Sequence, residues 1–385
     1  MTHDNRAAAV SDGDVGISRD RRVVVVNPGS SSVKIDLLDG DDVVLHLDVA
    51  ADGGRPDEDQ LADALRRATG EQVDAVAVRV VHGGPDFSGP VRVTGNVRDR
   101  IAALAELAPL HQGPALALLD RLLDLLADTP VIACFDTTFH RTIPVEASTY
   151  AVPRRWREEL HVRRYGFHGL AHAWNARRAA ELLDRRVDGL SLVSAHLGSG
   201  ASLCAVRDGR SLDTTMGFTP LSGLVMGTRS GDLDPAVPGY VVAHGGGSPA
   251  LVAGELERES GLFGLAGTAD AARVVAAAAD GDCDSATAVA VWGHRLRAGI
   301  AAMVAALDGR LDAMVFSGGI GEHSPVLRAQ ALDRLGWLGL RLDPDRNAAS
   351  QLDSPVSPAG VAPVVLLVHA REDAIAAAQA RSLLD

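Results

Sequence analysis

A few residues in this chain have types and spacings suited to handling anions. Lys34 is the only lysine, set against 36 arginines. A chain that uses arginine wherever a cation will do has kept one ammonium, and a compact point charge is not equivalent to a planar guanidinium. Lys34 closes the segment Asn27-Pro28-Gly29-Ser30-Ser31-Ser32-Val33-Lys34. Glycine and short hydroxyls leave the backbone N–H groups of such a turn open as an anion nest, and the lysine adds charge for the same phosphates. The serines alone read equally well as a plain hairpin; the lone lysine tips the reading toward phosphate. A P-loop is excluded, because its GxxxxGK[ST] pattern is absent. His196-Leu197-Gly198-Ser199-Gly200 forms a second such turn. Gly318-Gly319-Ile320-Gly321-Glu322-His323 forms a third, whose glycines allow a sugar or base close to the backbone.

Two arginines stand close to glycines. Arg79 ends an apolar run before His82-Gly83-Gly84, and Arg229 lies within Met226-Gly227-Thr228-Arg229-Ser230-Gly231. A guanidinium fork grips a carboxylate or phosphate through two parallel bonds. Structural ion pairing is the commoner fate of one arginine among 36, but the flanking glycines argue for exposure at a site. Asp136 follows an apolar run, at the strand end where open α/β sheets place ligands. His168 stands between glycine-bearing segments just before a helical pattern, and its imidazole is a candidate donor to phosphoryl oxygens. Glu372 is a candidate Mg²⁺ ligand, directly or through water, with Asp373 as its rival.

The elements that must position these groups alternate in type. Val23–Val26 reads as a buried strand, followed by alternation over Val33–Leu37, an Asp39-Gly40 turn and a strand at Val43–Val49. Ser191–Gly209 repeats the sequence of strand, Gly/Ser turn, strand and Asp-Gly turn. The interval from Gly29 to Asp39 equals that from Gly198 to Asp208. Two matched hairpins suggest duplicated domains. Helices are expected near Asp59–Ala68, Val97–Leu107, Pro114–Leu126, Leu170–Leu183, Ser285–Leu307 and Ala370–Leu384. Buried strands are expected near Ala75–Val81, Val131–Phe135, Leu190–Ala195, Ala313–Phe316 and Val364–Val368. The mixture argues for an α/β architecture with covered sheets. The boundary between halves falls near 140–155, where Pro144 and Pro153 interrupt the pattern, and the final helix can pack on either half.

Composition narrows the classes. The chain has 385 residues, of which 46% are hydrophobic and 23% charged, fitting two globular domains with room for a core. A net charge of -13 excludes a whole-chain basic footprint for nucleic acid or anionic lipid. No apolar run reaches the ~18 residues of a membrane helix. Residues 1–20 are polar, read as a disordered extension, and show no secretory h-region. Three scattered cysteines, Cys134, Cys204 and Cys283, fit a reducing cytoplasm and carry no metal-ligand spacing.

Taken together, NPGSSSVK, RVVHGG, APLH, FDTTFH, RRYGFHGLAH, HLGSGASLCAV, DTTMGFTPLSGLVMGTRSGDLDP and FSGGIGEHSP resemble the acetate kinases of the acetate/propionate kinase family. That family lies within the sugar kinase, Hsp70 and actin superfamily. The segments run in family order over 27–325, with a weaker match at REDAIA. The resemblance implies two duplicated actin-like domains with the active site in the cleft between them. It assigns 21–150 to the first domain, completed by the final helix at about 373–385, and 151–372 to the second. It implies reversible transfer of the ATP γ-phosphoryl group to acetate, giving acetyl phosphate and ADP, with Mg²⁺ (or Mn²⁺). The protein is expected to be a cytoplasmic homodimer without nucleic-acid or membrane partners.

Residue by residue, the resemblance makes Arg79, Asp136, His168 and Arg229 catalytic. Val81, Leu110, Phe167 and Pro220 would hold the acetate methyl. Ser30, Ser32, Lys34, His196, Leu197, Gly198, Ser199, Gly200, Arg273, Gly319, Ile320, Gly321, Glu322 and His323 would bind ATP, and Asn27 and Glu372 the metal. Ser199 and His323 stand where the family has asparagine, and Ala271 where it has aspartate. These departures leave the nucleotide or a pyrophosphate donor open. Propionate or another short acid as substrate, and a catalytically weak nucleotide-binding homologue, are the competing readings.

Overall fold

The computed structural model describes residues 21–384, apart from 30–31, 53–54, 71, 106–108 and 127. The extension 1–20 and Ser30 therefore lie outside the described residues. The alternating and β-branched runs form two sheets. In the first, β1 (Arg22–Pro28), β2 (Ser32–Asp39), β3 (Asp42–Asp52), β4 (Arg55–Pro56), β5 (Ala75–Val80), β6 (Val91–Arg92) and β7 (Val131–Phe135) take the order β4-β3-β2-β1-β5-β7-β6. In the second, β8 (Ser191–Leu197), β9 (Ala201–Arg207), β10 (Arg210–Thr214), β11 (Ala313–Ser317), β12 (Ser354–Pro355) and β13 (Val364–Leu367) take the order β10-β9-β8-β11-β13-β12. Both sheets open with an antiparallel meander, continue with two parallel strands and end on a short antiparallel strand. The matched hairpins seen in the sequence are β1–β2–β3 and β8–β9–β10. At their Asp-Gly turns Gly40 (φ 60) and Gly209 (φ 71) take left-handed backbone, as tight hairpin turns require.

Strand alternation sends side chains to both faces. Val24, Val26, Val33 and Ile35 face the helices Glu58–Thr69 and Pro109–Leu125, while Val23, Val25, Ala75 and Ile132 face the other way. That second face meets Leu170, Ala376, Ala377 and Ala380, from the helices Gly169–Leu182 and Glu372–Arg381. The same two helices turn Trp174, Ala176, Ala179 and Ala374 toward Leu192, Cys204 and Val315 of the second sheet. The long helix Cys283–Ala306 covers the far face of the second sheet through Trp292, Leu296 and Ile300. Two alanine-rich helices thus lie between the sheets, because only small side chains let both sheets approach. The chain has the actin-like α/β fold.

Several expectations shift at their ends. The helix expected over Val97–Leu107 spans Gly95–Ala102 and is capped by Thr94. The one expected from Pro114 begins at Pro109, so Pro114 lies inside it. The final helix begins at Glu372 and packs on the first sheet. Gly261–Ala279 has the length and mean hydropathy, 1.3, of a membrane span. It folds as two helices, Gly261–Ala266 and Ala271–Ala279, parted at left-handed Gly267, with Asp270 capping the second. A continuous run of backbone hydrogen bonds, which a bilayer demands, is therefore lacking there.

Candidate active site between the sheets

The strand ends of the two sheets face one cleft. Arg79 comes from the end of β5 and Asp136 from just beyond β7, neighbouring parallel strands. Arg79 binds Asp136 twice, Nε to Oδ1 at 2.9 Å and Nη2 to Oδ2 at 2.7 Å. Its Nη1 donates to Asn27 Oδ1 at 3.2 Å and Glu372 Oε2 at 3.1 Å. Asn27 Nδ2 donates to Glu372 Oε2 at 3.2 Å, so β1, β5, the β7 end and the final helix are tied at one point. Arg79 is thus largely committed to protein carboxylates, with one N–H on Nη2 left over, rather than being the open fork expected from its flanking glycines.

The charges here follow from burial. Burial works against the Arg79 guanidinium, yet Asp136 and Glu372 hold its pKa above the ordinary value. Burial likewise pushes the Asp136 carboxyl up, against the pull of Arg79. The two partners therefore do not mirror one another as an ion pair should. The short bidentate geometry decides the matter, and Asp136 is read as the anion. Burial also opposes ionisation of Glu372, but Arg79, His196, Asn27 and Lys34 outweigh it and hold Glu372 below the usual carboxylate range.

Arg229 has the opposite character. Its Nη1 donates to Pro220 O at 3.2 Å and Met226 Sδ at 3.7 Å, and among the described residues it forms no ion pair with a carboxylate. Burial lowers its pKa, with Glu257 opposing at longer range. A mostly buried guanidinium without a counter-ion is an anion site. Its loop is held by backbone bonds from Leu262 N to Met226 O and from Phe263 N to Gly227 O, both 2.9 Å. Gly261 (φ 63) makes this possible, since a Cβ there would lie 2.2 Å from Met226 O.

His168 caps the helix Gly169–Leu182 in left-handed backbone (φ 56), unusual for a residue with a side chain. Gly169 must follow, because a Cβ there would fall 2.0 Å from Asp136 O. Behind it, His140 holds Phe167 O through Nε2 at 2.9 Å and meets Ser211 Oγ through Nδ1 at 2.8 Å. Burial, aided by His196, Arg79, His172 and Arg229, drives the His168 pKa well below 6.5, so the ring is neutral at pH 7. Its Nδ1 meets Ser202 Oγ at 2.9 Å. A Cβ on Gly200 would lie 3.3 Å from both His168 Nε2 and Arg229 Nη1, so bare backbone separates the two groups.

Two cavities adjoin. One, of about 410 Å³, has Val81, Phe167, Pro220, Pro114 and Ala115 as its apolar wall and Asp136, Arg229, Glu257 and Arg258 as polar lining. The other, of about 630 Å³, is lined by Asn27, Ser32, Lys34, His196, Gly198, Gly318, Gly319, Glu322 and Glu372. Arg79, His168, Gly29, Ser199 and Gly200 line both.

Other expected residues are placed differently. Leu197 is core and lines neither cavity. Ile320 packs against the same core, Gly321 lies behind the turn, and His323 and Arg273 are exposed; none of these four lines either cavity. The third glycine turn is itself the short helix Gly318–His323. Glu322 supports it: its carboxylate accepts from Gly318 N and Ala370 N, both at 3.0 Å, and meets His369 Nδ1 at 3.0 Å. Asp373, the rival to Glu372, lines the same cavity and accepts from Arg371 Nε at 3.1 and 2.8 Å. The Leu110 side chain lies outside the described residues. Pro114, Ala115, Glu257 and Arg258 escaped the sequence reading, since no motif marks a helix flank that folds over a cleft.

No cluster of three or more histidines, cysteines or carboxylates suited to a metal occurs among the described residues. Glu372 and Asn27 nonetheless fit Mg²⁺. Their donors are hard oxygens, and Glu372 Oε1 has only His196 Nε2 nearby, at 3.6 Å. Mg²⁺ commonly keeps waters and substrate phosphates and takes one or two protein oxygens.

A sequence profile described as "Acetokinase family" matches residues 58–378. An acetate kinase of Deinococcus deserti is 46% identical over 318 residues, covering 82% of this chain and 79% of its own length. An acetate kinase of Trichormus variabilis is 41% identical over 315 residues, covering 82% and 77%. Among solved structures, a propionate kinase from Francisella tularensis superposes with a TM-score of 0.86 at 30% identity, over 93% of this chain and 98% of that one. A Porphyromonas gingivalis acetate kinase also gives 0.86, at 29% identity, over 95% and 100%.

Proposed function

We propose that this chain, which belongs to the acetokinase family, transfers the γ-phosphoryl group of ATP to acetate, reversibly, forming acetyl phosphate and ADP. The observation that carries this reading is the junction of an apolar-walled cavity and a glycine- and lysine-lined cavity at Arg79 and His168. Acetate is already an anion at pH 7 and needs no general base. The obstacle is repulsion between two anions, so fixed positive groups and donors must supply the catalysis. Arg229, without a protein counter-ion, takes the charge shared by the acetate carboxylate and the moving phosphoryl group. His168, neutral, offers an Nε2–H to the same oxygens. Arg79 is held in place by Asp136 and Glu372 and contributes its remaining N–H at the boundary.

Val81, Phe167 and Pro220 exclude water and receive the methyl group. The γ-phosphate is received between Gly29 and Ser32 on one side and Gly198–Gly200 on the other, facing Lys34. Glu372 and Asn27 would hold Mg²⁺, whose charge would offset that of the phosphates. The halves 21–150 with the final helix, and 151–372, act as the two walls of the cleft. A cytoplasmic location is consistent with buried thiols at Cys134 and Cys204, the latter pushed up to about 12 by burial. Assembly as a homodimer has support in the exposed Val237, Tyr240 and Leu251, on two packed helices of the second half.

The test is a hydroxamate trap with ATP, Mg²⁺ and acetate. Product well above a no-enzyme control is expected; a rate equal to that control would sink the reading. Running propionate and butyrate alongside ranks the acids, since one methylene in such a pocket shifts preference by only ~1–3 kcal/mol.

A further inference from the structure

Behind the cleft runs a chain of hydrogen bonds that the catalytic reading does not use. His172 and Asn175 follow His168 at one- and two-turn intervals along the helix Gly169–Leu182 and share its inner face. His172 Nε2 meets Ser202 Oγ at 2.8 Å, and its Nδ1 meets Ser194 Oγ at 2.8 Å. Asn175 Nδ2 donates to Ser194 Oγ at 2.9 Å and to Ser317 Oγ at 2.7 Å. Ser317 Oγ in turn meets His196 Nδ1 at 3.2 Å. His172, Asn175, Ser194, Ser202 and Ser317 are all fully buried.

Counting protons orients every link. Each neutral ring carries one N–H, and each hydroxyl has one proton to give. Ser194 accepts from Asn175, so the acceptor in reach of its proton is His172 Nδ1. His172 must then carry its proton on Nε2 and donate to Ser202. Ser202 passes its own proton to His168 Nδ1, which leaves His168 protonated on Nε2, toward the cleft. The same count through Ser317 protonates His196 on Nε2, toward Glu372. Reversing the amide would invert every link. His168 would then aim a lone pair at the incoming phosphate oxygens, and both amide hydrogens would lie buried without acceptors. As oriented, only the Asn175 carbonyl oxygen lacks a partner. One unmet acceptor costs less than two unmet donors.

We propose that Asn175 is a positioning residue that sets the tautomers of His168 and His196 through Ser194, His172, Ser202 and Ser317, so that His168 faces the transferring phosphoryl group as a donor. The proposal rests on the kinase reading for its purpose, but its geometry can be read without turnover. The experiment is nitrogen-15 NMR of the full chain labelled at histidine, with His168→Gln and His172→Gln spectra as assignments. In the wild type, His168 and His172 should each show a bare Nδ1 and a protonated Nε2. Asn175→Asp keeps the shape but only accepts, so both rings should switch tautomer. With that switch kcat should fall about 10²- to 10³-fold, the size of losing one donor to a developing charge, with KM for acetate nearly unchanged.

Ser194→Ala should disturb His168 and leave His196 in place; Ser317→Ala should do the reverse. If Asn175→Asp fails to fold, as judged by circular dichroism, Asn175→Leu and the two serine variants carry the decision. A wild-type His168 protonated on Nδ1, or a His168 signal that ignores Asn175 and Ser194 substitution, overturns the proposal. Tautomer switching in a chain with no kinase activity would instead count against the function proposed above.

Discussion

Arg79 and Arg229 look alike in the sequence, as arginines close to glycines, but the fold gives them different work. Arg79 neutralises two buried carboxylates, whereas Arg229 forms no ion pair among the described residues. Their alanine variants should therefore differ. Arg229→Ala should cut kcat by orders of magnitude, about 10²-fold or more, while a thermal melt stays near that of the wild type. Arg79→Ala strands Asp136 and Glu372 without a counter-ion and should cost about 3–5 kcal/mol of stability as well as activity. Equal melting temperatures for the two variants would refute this division. The sequence revealed that both were cations at a site. It hid which was already paired, because Asp136 and Glu372 lie far from Arg79 along the chain and only the closed sheets bring them together. Glu372 and Asp373 show the same limit. They are adjacent in sequence and were indistinguishable there; both line the second cavity, but Glu372 pairs with Arg79 while Asp373 is taken up by Arg371.

Secondary elements were the most legible part, because strand alternation and Asp-Gly turns are local signals. Both hairpins formed where the pattern placed them. Helix ends moved where a cap decided, as at Thr94, and the short edge strands β4, β6 and β12 were missed because two residues carry no period. Nor did the sequence disclose that the segments around His82 and His140 are sealed from water. Burial pushes both imidazoles down to about 4 from 6.5. The unfolded chain therefore takes up protons there more readily than the folded one. Their contribution is intact above pH 6.5 and is lost as pH falls toward 4, by up to about 3 kcal/mol for each ring. Urea unfolding at stepped pH should show this loss. His140→Gln, which can still donate to Phe167 O, should flatten the slope; an unchanged slope would mean His140 titrates elsewhere.

At the scale of the molecule, two sheets of the same strand order enclose one cleft, and Val237, Tyr240 and Leu251 stand exposed on the helices Ala236–Gly245 and Pro249–Arg258. If those helices carry the homodimer contact, Tyr240→Glu should shift the light-scattering mass from two chains to one while the fold survives. A dimeric mass in that variant would place the contact elsewhere. The duplicated order was legible from two matched turns, whereas the pairing of the last helix with the first sheet was not, since its alanine face suits either. That return has a consequence for synthesis. Glu372 reaches Arg79 only when the last segment of the chain has packed beneath the first strand. A nascent polypeptide on the ribosome holds the rest of the cleft-forming sequence before it holds this latch. A chain stopped before residue 372 should emerge soluble at best and inert. Catalytic competence should thus wait on the docking of Glu372 against Arg79, so that shortened chains draw on no ATP.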